Sequence, residues 1–198
     1  MLMTTNIRLT TQRLVLREYS EFDFDGVHAY ASDTQTLRFM TWGPNTPGET
    51  HRFIQMAISQ QSDEPRLNFH FVVTTRDNGE IVGGCGINIR RPEHKTAEIG
   101  YCFNKNYWRQ GFATETATAL LQFGFQELGL HRIVATCDPR NIGSVRVLEK
   151  CNMRREGYIH GHVWQKGSWR DSYLYAILDH EWTDFSAETP PRGESTST

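Results

Sequence analysis

No stretch of the sequence approaches the roughly 20 consecutive apolar residues that a membrane-spanning helix requires. Its opening, MLMTTNIRLTTQRLVL, has no basic region followed by an apolar run, so no membrane partner is expected and the reading is cytoplasmic. Charge of either sign is also in short supply. With 21 Lys and Arg against 23 Asp and Glu, the formal charge is only -2, which supplies no broad positive field for a polyanion and argues against nucleic acid as a partner. Cysteine is sparse. Cys85, Cys102, Cys137 and Cys151 are far apart, lie in apolar segments and form no CxxC pair, which speaks against a disulfide framework and for buried free thiols. His160 and His162 form an HxH pair, but neither an acid nor a cysteine sits beside them at ligand spacing. Surface or substrate-loop histidines, with no metal, are the expectation.

What remains is a soluble composition of a length suited to one domain, 1–185, followed by a tail, 186–198, that is polar, Pro-containing and expected to be disordered. Gln12 to Tyr19 alternates apolar and polar residues as a half-buried strand does, and Asp23 is placed to cap a short helix through Ala31. Thr46-Pro47-Gly48-Glu49 is a capping box with proline at the first helical position, so a helix to about Gln61 follows. Asn68 to Thr75 and Glu80 to Ile89 read as a hairpin turned by Asn78-Gly79, and Ala97 to Phe103 extends the sheet. A helix with Ala113, Ala117, Leu120, Leu121, Gly124 and Leu128 on one face ends at Gly129. His131 to Cys137 is the next strand. Asn141 caps a helix with Ile142, Val145 and Leu148 inward, and two strands around Lys166-Gly167 close the domain. The order implies an α/β domain with a mixed sheet.

Chemistry is concentrated in Ala97 to Glu115, AEIGYCFNKNYWRQGFATE, where a strand passes through a loop into a helix with Gly111 and Ala113 at its start. Small residues there let a ligand approach the backbone, and a first helical turn offers free N–H donors and a positive dipole end. Taken alone the segment leaves two readings, phosphate binding and tight packing. The Gly83-Gly84-Cys85-Gly86 cluster leads into more strand rather than a helix and reads as a bulged strand, not a phosphate loop.

Trp108-Arg109-Gln110-Gly111-Phe112-Ala113 resembles the acetyl-CoA motif of the GNAT superfamily, written Q/R-x-x-G-x-G/A, with Trp108 at its opening position. The Tyr107-Trp108 pair is similar to the branch of ribosomal-protein N-terminal acetyltransferases, the RimJ/RimL-like branch. Arg13 to Arg17, Asp138 to Ser144 with Val147 to Lys150, and Arg170-Asp171 with Tyr173 to Ala176 also resemble that branch, so the likeness covers about residues 8 to 182. It implies the GNAT fold, a mostly antiparallel sheet flanked by helices and splayed where the pantetheine arm lies. It further implies that acetyl-CoA is the co-substrate. Backbone groups of Tyr101, Cys102 and Phe103 would pair with pantetheine, and those of Arg109, Gln110, Gly111, Phe112, Ala113 and Thr114 would hold the pyrophosphate. Asn141 would bond pantetheine or order the acceptor side.

Direct transfer needs a neutral amine, stabilisation of the developing oxyanion and a proton for the departing thiolate. Glu98 is the candidate to accept the amine proton, against an ordinary strand glutamate pairing with a base. A backbone N–H near Cys102 would serve the oxyanion. Ser144, one turn from Asn141, is the candidate to orient or protonate the sulfur, against a serine bonding its own backbone. Tyr107 is a second donor, against simple packing. Trp42, His162 and Trp164, with His160 and Trp169, are candidate walls of an acceptor pocket. The acceptor is a primary amine, of a peptide or protein N-terminus or of a small polyamine, amino sugar or drug. A non-catalytic acyl-CoA sensor is the rival from another class, and a homodimer is compatible with either.

Overall fold

The computed structural model describes residues 6–182; the expected tail lies outside them. Eight strands and four helices alternate as β1 (Arg8–Thr10), β2 (Leu14–Glu18), α1 (Phe24–Ala31), α2 (Pro47–Ser59), β3 (Asn68–Thr75), β4 (Ile81–Arg91), β5 (Thr96–Phe103), α3 (Phe112–Gln122), β6 (Arg132–Cys137), α4 (Ile142–Lys150), β7 (Arg154–Gln165) and β8 (Ser168–Leu178). They build one sheet in the order β1-β2-β3-β4-β5-β6-β8-β7. Every pairing is antiparallel except β5 with β6. Among the described residues no helix is long and apolar enough to cross a membrane.

The sheet is covered on both faces. α3 and α4 enclose the larger core with Leu14, Leu16, Phe71, Val73 and Ile133, while α1 and α2 enclose a smaller one with Tyr19, Val27, Tyr30, Leu37 and Cys102. Local chemistry explains most boundaries. Thr46 Oγ1 accepts from the Glu49 N–H while the Glu49 carboxylate accepts from the Thr46 N–H, the reciprocal capping box that starts α2. Asn141 Oδ1 accepts from the Ser144 N–H to start α4. Lys166 and Gly167, both at positive φ, turn β7 into β8.

Two expectations change, and one strand was not expected. Asp23 does not cap α1: its carboxylate turns back to the Ser20 N–H and to Arg17, because a buried charge seeks its cation first. Ile142 is half exposed while Leu148 alone is fully buried on α4, because the first turn of α4 stands over an opening in the sheet rather than over packed strand. The strand β1 pairs with β2 but carries too few residues to declare a period. The glycine cluster is strand, as expected. A Cβ on Gly83 would meet the Cys102 carbonyl, and one on Gly84 the hydroxyls of Tyr19 and Tyr30, so these glycines serve close approach within the sheet. All four cysteines are buried free thiols.

Candidate active site

The opening in the sheet is where β5 and β6 part. Their parallel pairing covers Thr96 with Arg132, Ala97 with Ile133 and Glu98 with Val134, yet both strands run on, to Phe103 and to Cys137. On its other side β5 stays paired with β4 through Phe103. The Asn104 N–H donates to the Val82 carbonyl, and successive residues of a strand direct their backbone groups to opposite neighbours. Cys102 therefore faces β4, while Tyr101 and Phe103 face the opening. This corrects the expected trio: Cys102 bonds within the sheet and its thiol, pushed up to about 12 by burial, lies in the smaller core. The Phe103 carbonyl is already taken, at 2.8 Å, by the Trp108 indole N–H. That bond explains a tryptophan at the head of the loop. It ties the loop to the last residue of β5 and marks where the open stretch of strand ends.

A cavity of about 170 Å³ fills the opening, bounded by β5, β6, the first turns of α4, the segment Phe39–Thr41 and Arg170. Side chains alternate along β5, so the two faces of the sheet contribute different chemistry. Glu98 stands on the α1/α2 face, where Thr136 Oγ1 donates to it at 3.5 Å and Arg90 holds it at 3.1 Å. Tyr101 stands on the other face, its hydroxyl 2.9 Å from Ser144 Oγ. Burial raises the Tyr101 phenol well above its ordinary value, with Ser144 partly opposing the shift. Burial likewise pushes the Cys137 thiol, which lines the cavity, up to about 11, so no thiolate is on hand for covalent catalysis. Gly100 lines the same cavity, and a Cβ there would meet nothing within 4 Å. The strand thus offers unpaired backbone next to empty space, as an arm lying along it requires.

The loop between β5 and α3 meets this opening at its end. Arg109 and Gly111 both have positive φ, 62° and 83°; for the arginine this is a sparsely populated conformation. Gly111 is the N-cap of α3 and brings no side chain to the first-turn N–H groups, which leaves donors of Phe112, Ala113 and Thr114 for an anion. Arg13 secures the turn from outside. Its Nη1 donates to the Gln110 carbonyl at 2.9 Å, its guanidinium lies 4.8 Å from the centre of the Phe112 ring, and it pairs with Glu115 at 2.7 Å. The pairing matters because Glu115 is an acid in the first turn. Burial works against its charge, but the Thr11 hydroxyl and Arg13 hold it below its ordinary value, and Arg13 offsets that charge at the start of α3. A larger groove of about 740 Å³ runs from Gly111 and Thr114 along the outer side of α3 to Lys150; it touches the loop but not the chemistry of the opening.

Not every expected residue reaches the opening. Tyr107 packs its ring against Phe112 at 6.4 Å, and its phenol, pushed up to about 12 by a hydrogen bond to Glu80 and by burial, is turned to the β3–β4 end of the sheet. Trp164 and Trp169 are cross-strand partners, 5.4 Å apart, on the face opposite Arg170 and largely exposed. Neither they nor Trp42 and His162 line the cavity. Phe39, Met40, Thr41 and Arg170 form that wall instead. The tip of the hairpin holds the segment in place: Gln165 Nε2 donates to the Met40 carbonyl, Lys166 Nζ to the Leu37 carbonyl and Arg170 Nη1 to the Phe39 carbonyl. The Tyr101 hydroxyl and Arg170 escaped sequence reading because only strand alternation, once the register is known, points them inward. Asp171, next to Arg170, accepts from the Tyr158 hydroxyl and the Gly161 N–H, and so pins the bulge of β7 that carries His160 and His162 at the surface.

The acetyltransferase (GNAT) domain profile matches residues 13–154. The N-acetyltransferase YnaD of Bacillus subtilis is 38% identical over 176 residues, covering 89% of this chain and 99% of its own. The [ribosomal protein uS5]-alanine N-acetyltransferase of Escherichia coli is 26% identical over 183 residues, covering 89% and 93%. A crystal structure of a GNAT-family acetyltransferase from Bacillus anthracis superposes with a TM-score of 0.78 at 36% identity, covering 88% of this chain and all of that one.

Proposed function

Since this chain belongs to the GNAT family of acetyltransferases, and is an N-acetyltransferase, we propose that it transfers acetyl from acetyl-CoA to a primary amine inside the opening between β5 and β6. The observation that carries the reading is the opening itself. It has Glu98 on one face, the Tyr101–Ser144 pair on the other and the uncapped start of α3 at its end.

The residues present fit acetyl-CoA as co-substrate. The N–H groups of the Arg109–Thr114 turn and the Arg109 charge hold the pyrophosphate, and the open-side backbone of Tyr101 and Phe103 holds the pantetheine arm, as far as the Trp108 bond allows. Asn141, capping α4 through Oδ1, has its Nδ2 for the same arm. Bound acetyl-CoA supplies an activated thioester; the rest is the work of the chain. Glu98 accepts the proton of the attacking amine, with Thr136 and Arg90 fixing its carboxylate. An N–H on the open side of β5 receives the oxyanion as the C–N bond forms. Tyr101 gives its proton to the sulfur as the C–S bond breaks, and Ser144 orients the phenol.

An amine at the N-terminus of a peptide or protein is the acceptor that the branch favours; a small amine enters by the same mouth. Incubation with acetyl-CoA and a panel of amino acids, peptides, polyamines and aminoglycosides, with thiol release and product mass as readouts, tests the proposal. Acceptor-dependent thiol release with one added acetyl group supports it. Tight CoA binding with no acetylation across the panel would favour the sensor role instead.

A further inference from the structure

Two charged groups that line the cavity, Asp138 and Arg170, have no part in acetyl transfer. Arg170 lines it from β8 and is 8% exposed. Its Nη1 donates to the Phe39 carbonyl at 3.1 Å and its Nη2 to Ser172 Oγ at 3.0 Å, both neutral acceptors. Its Nε–H is buried with no partner. Among the described residues Arg170 belongs to no ion pair: Asp138 is near enough to feel its charge, but its oxygens are engaged by Arg140 at 3.0 and 2.7 Å, and Glu98 is engaged by Arg90. A buried guanidinium with an idle donor, whose neighbouring carboxylate is bonded by another arginine, is open to a ligand that bonds it directly.

We infer that Arg170 binds a carboxylate on the acceptor, so that the preferred substrate is a free α-amino acid rather than the N-terminus of a peptide. The inference rests on the transferase reading. Glu98 and Arg170 border one small cavity from different strands, so an amine directed to Glu98 and a carboxylate directed to Arg170 belong to one small molecule. A peptide N-terminus would place a neutral carbonyl where the lone cation sits. The carboxylate accepts from the guanidinium where it borders the cavity, and the guanidinium keeps its bonds to Phe39 and Ser172.

The test compares amino acids with their own amides and with dipeptides of the same first residue, in the wild type and in Arg170→Met and Arg170→Lys. The readouts are kcat and KM with acetyl-CoA, together with calorimetry of amino-acid binding to the CoA-loaded protein. The wild type is expected to favour the carboxylate over its amide by on the order of 30-fold in kcat/KM, mostly through KM, as one charged hydrogen bond provides. Arg170→Met brings that ratio close to one and Arg170→Lys restores part of it. A wild type that uses amides or dipeptides as well as amino acids overturns the inference, and this comparison needs no variant to fold. So does an Arg170→Met variant that loses kcat on all amines with the ratio intact, because Arg170 then only holds the Phe39 segment. The transferase reading fails separately: amino-acid binding that depends on Arg170 without any acetylation leaves the anchor standing and removes the enzyme.

Discussion

The hydroxyl of Tyr101 and the hydroxyl of Ser144 meet at 2.9 Å across the mouth of the opening, one carried by a strand and the other by the first turn of a helix. The pair is brought together by Asn141, whose side chain fixes the turn of α4 on which Ser144 rides.

If Tyr101 is the proton donor, Tyr101→Phe lowers kcat by about 100-fold, with little change in KM for acetyl-CoA. Ser144→Ala costs less, about 10-fold, and the double variant is no worse than Tyr101→Phe alone, since the two act as a unit. Because burial raises the Tyr101 phenol above its ordinary value, it keeps its proton as pH rises toward about 10, the usual range for tyrosine. A pH profile of kcat should therefore show no alkaline loss below that range. A loss centred well under pH 9 would place the donor elsewhere.

Glu98→Gln should lower kcat by about 100-fold while leaving the fold and CoA binding intact. Arg90→Gln, which removes only the exposed partner of Glu98, should change kcat by less than about 5-fold. Equal losses in the two variants would make the ion pair, rather than the carboxylate, the element that matters. Steady-state kinetics with one reactive amine is sufficient.

Positive φ at Arg109 and Gly111 sets two opposite expectations for the anion turn. Gly111→Ala forces a Cβ toward Arg13 in a strained conformation, so stability falls by about 1 kcal/mol and CoA affinity falls with it. Arg109→Gly relieves strain at its own φ of 62°. Thermal stability should hold or rise slightly, yet calorimetry should find CoA binding at least several-fold weaker through the lost charge. Unchanged CoA affinity in both variants would detach the turn from the pyrophosphate.

The buried Asp23 pairs with the partly exposed Arg17 just before α1. Burial opposes the charge of Asp23, but the bonds from Arg17 and Ser20 prevail and hold its carboxyl below the ordinary carboxylate value. A depressed carboxyl stabilises the fold above the unfolded value, near pH 4, and that contribution disappears as pH falls through the lower, folded value. Asp23→Ala should cost about 1–2 kcal/mol at pH 7, read from urea midpoints. The difference from wild type should shrink below pH 4.

Much of the fold was legible because local signals agreed with one another. The capping box at Thr46 and the Asn141 cap each act over four residues or fewer, and the structure places them as expected, while in the β3–β4 turn only Gly79 of the Asn78-Gly79 pair takes positive φ. The turn into α3 was legible for the same reason, since Gly111 sits where a strand becomes a helix. What a sequence does not display is register. Whether Cys102 or Tyr101 faces the opening depends on which neighbour the backbone of β5 bonds. Whether Trp169 or Arg170 faces it depends on the pairing of β8. Aromatic residues in a late hairpin suggested a pocket wall by composition, and alternation gave that wall to the arginine between them. Tyr107 had the right chemistry but a nearer partner in Glu80.

Among the described residues, three residue pairs join β1–β5 to the β6-β8-β7 group along the sheet. Mechanically the sheet is two plates on a short hinge at Glu98 and Val134, and a cofactor arm seated in the opening is the missing strand that would fasten them. The amides of Tyr101 and Phe103, though central in an eight-stranded sheet, should exchange with solvent as those of an edge strand do. Seating acetyl-CoA should slow them together with the amides at the far end of β6, turning two loosely joined halves into one cooperative unit.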